Sequence, residues 1–251
     1  MSTYWNHLFS IALLATSIGA ECAPWVLRTA AQEGSAPKFS QANGVVSGHC
    51  PDILHAIELA DKDLRFAIAP MSMPIRRIEK DIRAGHLDII CALLDSPIRN
   101  EIALRVSTPV YMVRERLVGL RGDEQSIAGF EDLARSGSLV ATQAGASYAD
   151  KLRGHQVKVD ETSSSVALQN IVRKRVRYFY TNELTAVYYI KAEGLEDKLF
   201  LLPATMGQTP SYLWVGKQVA PEVLPRLEMA LAKLKKDGTL DRIYRSYGGT
   251  P

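Results

Sequence analysis

One arginine is placed where a small anionic ligand could be bound. Arg99 follows the apolar run Leu87–Leu94, which predicts a strand buried on both faces, so Arg99 should lie near the carboxyl end of that strand. A planar guanidinium holds a carboxylate through two parallel hydrogen bonds. The alternative role is a surface ion pair with the nearby Glu101. The residues around Arg99 leave both roles open.

A second candidate for anion binding is a predicted helix start. Gly145, Ala146 and Ser147 open a helix that extends through Leu152. The free N–H groups at the start of a helix attract anions. The alternative is an ordinary capped helix start with no ligand.

The histidines, cysteines and acids form no recognisable catalytic or metal-binding set. The three cysteines have no C-x-x-C spacing, and the G-x-S-x-G, H-E-x-x-H and phosphate-loop motifs are missing from the sequence. The histidines after the N-terminal segment are not spaced as metal ligands; they are His49, His55, His86 and His155. We therefore expect neither a metal nor a cofactor.

The charge balance argues against nucleic-acid binding. Thirty Lys and Arg residues against 27 Asp and Glu residues give a net charge of +3, too small for binding by phosphate neutralisation unless the charge clusters. The only dense basic stretch is Arg173–Arg177, which we interpret as the exposed end of a helix.

The N-terminus resembles an export signal. Residues Leu8–Ala20 form an apolar run of 13 that is too short to span a bilayer and ends in small residues. We expect cleavage after Ala20, although the preceding residues carry no Lys or Arg. An uncut membrane anchor and a buried N-terminal helix are the alternatives. A cleaved signal predicts a periplasmic protein.

The remaining chain predicts two α/β units. A length of 251 residues accommodates two domains of about 100–120 residues. Apolar patterns up to Leu94 give the order β-α-β-α-β, which is typical of an open, mostly parallel sheet. Strands and helices then alternate again from Leu117 onward. Two such units would face each other across a cleft at the carboxyl ends of their strands.

Six short motifs occur in the order found in one protein family. They are Gly44–Asp52, Ala84–Ile90, Ser96–Arg99, Ser107–Tyr111, Gln143–Ser147 and Lys233–Tyr247. Together they resemble the bacterial extracellular solute-binding proteins of the amino-acid-binding (family 3) type, over nearly the whole mature chain.

This resemblance implies a two-lobed periplasmic-binding-protein-like clamp, with a mostly parallel sheet flanked by helices in each lobe. Residues 1–20 would be the signal peptide, 24–113 lobe 1, 114–209 an inserted lobe 2, and 210–251 the return to lobe 1. The implied function is capture of an amino acid or related small carboxylate for a membrane permease of an ABC importer. The implied oligomeric state is a monomer.

The resemblance also implies roles for individual residues. Arg99 would bind the ligand's α-carboxylate beside Ser96 and Leu94, and the helix start at Gly145, Ala146 and Ser147 would meet the same group from lobe 2. Asn182 takes the place of the family's usual ammonium-binding Asp. Either Glu183 replaces that acid, or the ligand is not a plain α-amino acid. The alternative role of Glu183 is to complement the dipole of its helix. Met73 lies where the family often has a stacking aromatic residue, although it could equally be a core residue.

A disulfide between Cys50 and Cys91 follows from the same resemblance. In the family's first unit, the first helix starts beside the end of the third strand, and these two cysteines lie at those places. Export to an oxidising compartment would permit the bond. Two free thiols are the alternative.

Two other functions remain open on this scaffold. Some relatives are periplasmic dehydratases acting on cyclic carboxylates, for which Glu183 would be the only candidate acid. A sensor or binding domain that works without a transporter is the other alternative.

Overall fold

The structure is a computed structural model that describes residues 23–42, 44–123, 126–144 and 148–250. The predicted signal peptide therefore lies outside the described residues. None of the described helices is both long and apolar enough to cross a membrane.

Strands and helices alternate along the chain. The strands are β1 (Trp25–Gln32), β2 (Ser40–Ala42), β3 (Val45–Ser47), β4 (Leu64–Met73), β5 (Ile89–Leu93), β6 (Ala103–Arg105), β7 (Tyr111–Leu120), β8 (Leu139–Gln143), β9 (Lys158–Thr162), β10 (Tyr178–Asn182) and β11 (Leu199–Gly216). The helices are α1 (His49–Ala60), α2 (Ile75–Arg83), α3 (Pro97–Ile102), α4 (Phe130–Arg135), α5 (Tyr148–Gly154), α6 (Ser164–Val172), α7 (Glu183–Ala192), α8 (Val223–Lys236) and α9 (Thr239–Ser246).

The sheets are parallel within the α/β units and antiparallel where the chain crosses between them. Strand β1 pairs in parallel with β4, and β10, β8 and β9 pair in parallel with one another. Strand β11 runs antiparallel to β5, β6 and β7. The longest sheet therefore has the order β5-β11-β7-β10-β8-β9, with β6 also on β11.

Two long strands connect the lobes. Strands β7 and β11 pair from Tyr111 opposite Ser211 to Leu120 opposite Leu199. One end of β11 pairs with β5 and β6, and the far end of β7 pairs with β10. Both predicted lobe boundaries, 113/114 and 209/210, fall inside these strands and stay predictions.

Each lobe has its own apolar core. In lobe 1, α1, α8 and α9 pack on β1 and β5 through residues such as Leu27, Ile57 and Leu231. In lobe 2, α6 and α7 pack on β10 and its neighbours through residues such as Leu168 and Phe179. All five residues of β5 are buried, as the continuous apolar run predicted.

Gly48 allows the start of α1 to contact the loop after β1. Its φ of 129° suits glycine, and a Cβ there would lie 2.5 Å from the carbonyl oxygens of both Pro37 and Lys38. The backbone N–H groups of His49 and Cys50 donate to the same two carbonyls at 3.2 Å. The loop carrying Lys38 is thereby fixed against α1.

Candidate functional site

A cavity of about 530 Å³ lies between the lobes, within the size range of small-molecule sites. One wall is formed by the loop after β1 and the residues that follow β5. The opposite wall comes from the end of β8 and the starts of α5 and α7, and β7 contributes at the crossing. Each unit therefore presents the carboxyl ends of parallel strands to the cavity, as expected for α/β sheets.

Arg99 lines this cavity from α3 and is held firmly. Its Nε donates to Glu79 Oε1 at 3.0 Å, and its Nη1 donates to the Leu94 carbonyl at 2.6 Å. The side chain is 17% exposed. The alternative pairing with Glu101 is wrong, because Glu101 pairs with Arg83 on the surface.

Ser96 and Leu94 position Arg99. Ser96 is the N-cap of α3, and its hydroxyl accepts from the Arg99 N–H at 3.4 Å. Leu94 supplies the carbonyl that fixes the guanidinium. Both residues also line the cavity. Sequence reasoning grouped all three residues, and the structure places them together.

Met73 is not part of the cavity lining. It ends β4 and packs against the apolar cluster that contains Ala30 and Ile78, which favours the alternative of a core residue over contact with the ligand. Gly145, Ala146 and Ser147 lie outside the described residues. Their neighbours Ala144 and Tyr148 do line the cavity.

Asn182 works as a helix cap. Its Oδ1 accepts from the Thr185 N–H at 2.9 Å, and its Nδ2 donates to the Thr185 hydroxyl at 2.8 Å. The N-cap role explains an amide at this position, because Asn is among the preferred N-cap residues. Asn182 also lines the cavity.

Glu183 is fully engaged within the protein. It is 2% exposed at the first position of α7, and its Oε1 pairs with Arg116 Nη1 at 2.9 Å. Its carboxylate also accepts from the Tyr244 hydroxyl at 3.0 Å, the Thr250 hydroxyl at 2.7 Å and the Thr250 N–H at 3.2 Å. Although it borders the cavity, these partners account for its hydrogen-bonding capacity.

Lys38 is a cavity residue that sequence reasoning missed. Its Nζ donates to Gln32 Oε1 and to the Ala92 carbonyl, the latter at 3.5 Å. Burial, assisted by the positive charge of Arg99, lowers the pKa of Lys38 to about 7. No motif marks this residue, because it lies in an irregular loop that tertiary contacts bring over the end of β5.

His49 closes the same wall. It is 2% exposed, and its ring meets Tyr111 edge-on with the centroids 4.9 Å apart. Burial, with a smaller effect of Lys38, lowers the pKa of His49 to about 3, so this imidazole is neutral at ordinary pH. Its Nδ1 is buried without a partner among the described residues.

Glu115 is another buried acid of the cavity. Unlike Glu183, it was not identified by sequence reasoning. It lies on β7 at 5% exposure, where its Oε2 accepts from Lys151 Nζ and from the Tyr180 hydroxyl. A Cβ at Gly207 would lie 2.5 Å from Glu115 Oε2, so a larger residue there would displace the carboxylate of this ion pair.

The expected disulfide is present. Cys50 and Cys91 are bonded, with their Cα atoms 6.0 Å apart. Their chain neighbours His49 and Ala92 both line the cavity, so the bond joins two parts of one wall. Among the residues that the structure describes, no group of three or more His, Cys, Asp or Glu is arranged to hold a metal ion.

The structure is similar to many solved ones. An ancestral arginine-binding protein bound to arginine is 25% identical over 89% of this chain and 98% of its own, with a TM-score of 0.67. An ancestral cationic amino acid solute binding protein is 22% identical over 88% and 95%, with a TM-score of 0.73. The unliganded, open L-cystine solute receptor of Neisseria gonorrhoeae is 18% identical over 88% and 92%, with a TM-score of 0.69.

Comparisons of the sequence give two further results. No curated protein matches the chain significantly. Residues 27–250 match the family described as "Bacterial extracellular solute-binding proteins, family 3". The match covers almost all of the described residues, and the chain therefore belongs to this family of bacterial extracellular solute-binding proteins.

Proposed function

We propose that this protein is a periplasmic receptor that closes over a small carboxylate-bearing solute and delivers it to an ABC-type importer. The observation that carries the proposal is Arg99, a guanidinium fixed by Glu79 and Leu94 on the wall of an interlobe cavity. A fixed, partly desolvated guanidinium suits a carboxylate, the group shared by all amino acids.

The fold supports closure as the binding mechanism. Strands β7 and β11 carry the chain between the lobes, so a small change along them would move one cavity wall relative to the other. Thr185 on lobe 2 already approaches the Ala36 carbonyl on lobe 1 at 3.5 Å. A ligand that touches both walls would favour the closed state.

The enzymatic alternative depended on Glu183 as a catalytic acid, and the structure engages this carboxylate in other contacts. Glu183 was its only candidate acid, and that carboxylate accepts hydrogen bonds from Arg116, Tyr244 and Thr250. The binding function needs no free acid and is the one we favour.

A ligand screen tests the proposal. We would measure thermal unfolding of the mature protein with amino acids and small carboxylates, then confirm hits by calorimetry with the wild type and Arg99→Ala. A ligand at 100 times its Kd adds about 2.7 kcal/mol to the stability of the folded state. Binding that survives Arg99→Ala unchanged, or turnover of the ligand, would contradict the proposal.

Delivery to an importer needs a separate test in cells. Uptake of the identified ligand should fall when the gene is deleted and return with the wild type but not with Arg99→Ala. Uptake that is independent of the gene, despite binding by the purified protein, would favour a sensor or a transporter-independent binding role.

A further inference from the structure

The cavity wall that carries Arg99 holds a second cation with only neutral partners. Lys38 Nζ donates to the Gln32 side-chain carbonyl and the Ala92 backbone carbonyl. Within the described ranges, no carboxylate lies within ion-pair distance of this ammonium group. Removing a charged group from water is unfavourable unless a partner compensates.

Lys38 and Arg99 are fixed by the same short segment. Lys38 contacts the Ala92 carbonyl, and Arg99 contacts the Leu94 carbonyl, at the end of β5. Arg99 is balanced by Glu79, whereas protonated Lys38 has no counter-charge among the described residues of the wall. The repulsion between the two cations contributes to the low pKa of Lys38.

The acids that line the cavity do not neutralise Lys38. Glu183, Glu115 and Asp95 are paired with other residues, and Glu33 is exposed. Their ion-pair partners are Arg116, Lys151 and Arg105, respectively. Among the described residues that line the cavity, no carboxylate balances Lys38, which leaves its charge for an anionic ligand.

We infer that the cavity takes a solute with two carboxylate groups, one bound by Arg99 and the other by Lys38. This inference rests on the proposed function and specifies its substrate class. A volume of about 530 Å³ leaves room for both groups. The chemistry is shared by short dicarboxylic acids and acidic amino acids, and the test separates these two sources.

The competing geometry has both cations on one carboxylate. It predicts that removing the Lys38 charge weakens every carboxylate ligand equally. Two separate subsites predict instead that only ligands with a second carboxylate are affected.

We would measure Kd by calorimetry for glutarate, L-glutamate, L-glutamine and L-arginine. The variants are Lys38→Met, which keeps an unbranched side chain of similar length without the charge, and Lys62→Met, a control on the exposed surface. We expect glutarate or L-glutamate to bind the wild type at least tenfold tighter than L-glutamine. Lys38→Met should weaken that ligand roughly 10- to 100-fold, the range for a hydrogen bond to a charged group. L-Glutamine should change less than threefold, and Lys62→Met should change nothing.

Proton uptake gives a second readout that a purely structural role of Lys38 would not move. The groups facing Lys38 are Arg99 from α3, the neutral His49 from α1, Gln32 from β1 and the Ala92 carbonyl from β5. With a pKa of about 7, Lys38 is mostly neutral at pH 8, and a carboxylate would restore its proton. Glutarate binding should therefore take up a proton in the wild type and none in Lys38→Met.

The outcomes distinguish the inference from the proposed function. Glutarate binding tighter than L-glutamate indicates a dicarboxylic acid, and the reverse order indicates an acidic amino acid. If L-glutamine or L-arginine binds as tightly as the diacids, or Lys38→Met weakens all ligands alike, the inference is wrong while the proposed function stands. If no member of the panel binds, the inference is also wrong, and the wider screen with Arg99→Ala decides the proposed function.

Discussion

Glu183 and Arg116 form a buried ion pair that joins lobe 2 to a crossing strand. Glu183 Oε1 lies 2.9 Å from Arg116 Nη1, and the two side chains are 2% and 11% exposed. The same carboxylate accepts from Tyr244 of α9 and from Thr250, so it also holds the C-terminal segment. One side chain therefore connects the start of α7, strand β7 and the end of the chain.

Glu183→Gln should destabilise the protein strongly. The variant leaves Arg116 buried without its counter-charge, and breaking a buried pair in this way costs about 3–5 kcal/mol. Urea unfolding measures the loss. The matched control is Glu101→Gln, which breaks the exposed pair with Arg83 and should cost less than about 1 kcal/mol. Equal losses in the two variants would show that burial of the Glu183 pair has no energetic consequence.

Arg99→Ala should abolish ligand binding while the fold is retained. Losing a charged partner in a closed cleft costs about 2–5 kcal/mol of binding free energy, which calorimetry measures with a ligand from the screen. The substitution also leaves Glu79, at 14% exposure, without its partner. The double variant Arg99→Ala with Glu79→Gln removes that unpaired charge. Recovery of affinity in the double variant would mean that Arg99 acts on the fold rather than on the ligand.

Removing the disulfide should lower stability and weaken ligand binding together. The bond closes a loop with a sequence separation of 41, for which chain entropy predicts about 4 kcal/mol. Urea unfolding of the Cys50→Ala, Cys91→Ala double variant measures this loss, and the affinity should fall because His49 and Ala92 line the cavity. Reducing agent should bring the wild type to the same stability. A reduced wild type that unfolds at the oxidised midpoint would contradict the expectation.

Lys38 should make the stability depend on pH in a defined window. Its pKa is about 7 in the folded protein and 10.5 as a model value, so between these pH values the unfolded chain binds a proton that the folded one lacks. Between pH 7 and pH 10.5, the contribution of Lys38 to the free energy of unfolding therefore becomes more favourable as the pH rises. Below pH 7, the folded state bears the full cost of the buried charge.

Lys38→Met should accordingly gain most stability over the wild type at pH 6, by a few kcal/mol, since each pKa unit corresponds to about 1.4 kcal/mol. The gain should shrink as the pH approaches 10. His49 stays neutral across this window because its pKa is about 3. The exposed-site control Lys62→Met should show a constant difference, within about 0.5 kcal/mol. A gain from Lys38→Met that does not vary with pH would contradict the linkage.

Deleting residues 1–20 should retain the protein in the cytoplasm. Cell fractionation measures this, with the full-length chain as the control. Truncated protein found outside the inner membrane would contradict the predicted export signal.

The sequence determined the order of the units and one wall of the site. The buried run before Leu94 and the Ser96–Arg99 turn placed the arginine at the end of β5, because an apolar run of that length has few alternatives to a buried strand. The motif order also implied the family and the disulfide between Cys50 and Cys91. Each of these features depends on a local residue pattern or on a family resemblance, and both can be recognised in a single sequence.

The crossing strands were only partly predictable. The sequence placed the start of the second unit at Leu117, whereas β7 already begins at Tyr111, and β11 runs from Leu199 to Gly216. Strand β11 contains Pro203, Gly207 and Pro210, which interrupt a local strand pattern. Pairing with β7, with register shifts between Leu201 and Gly207, maintains the strand despite them. Tertiary pairing overrode the local signal.

The partners of the charged residues could be decided only by the tertiary structure. Glu183 looked available as an acid, but folding brings Arg116, from 67 residues earlier, and Thr250, from 67 residues later, onto its carboxylate. Lys38 carried no motif, yet folding places it beside Arg99 on the cavity wall. Ion pairs join residues that are distant in sequence, so residue type and local spacing indicate which side chains are charged, and only the folded chain determines which charges remain for a ligand.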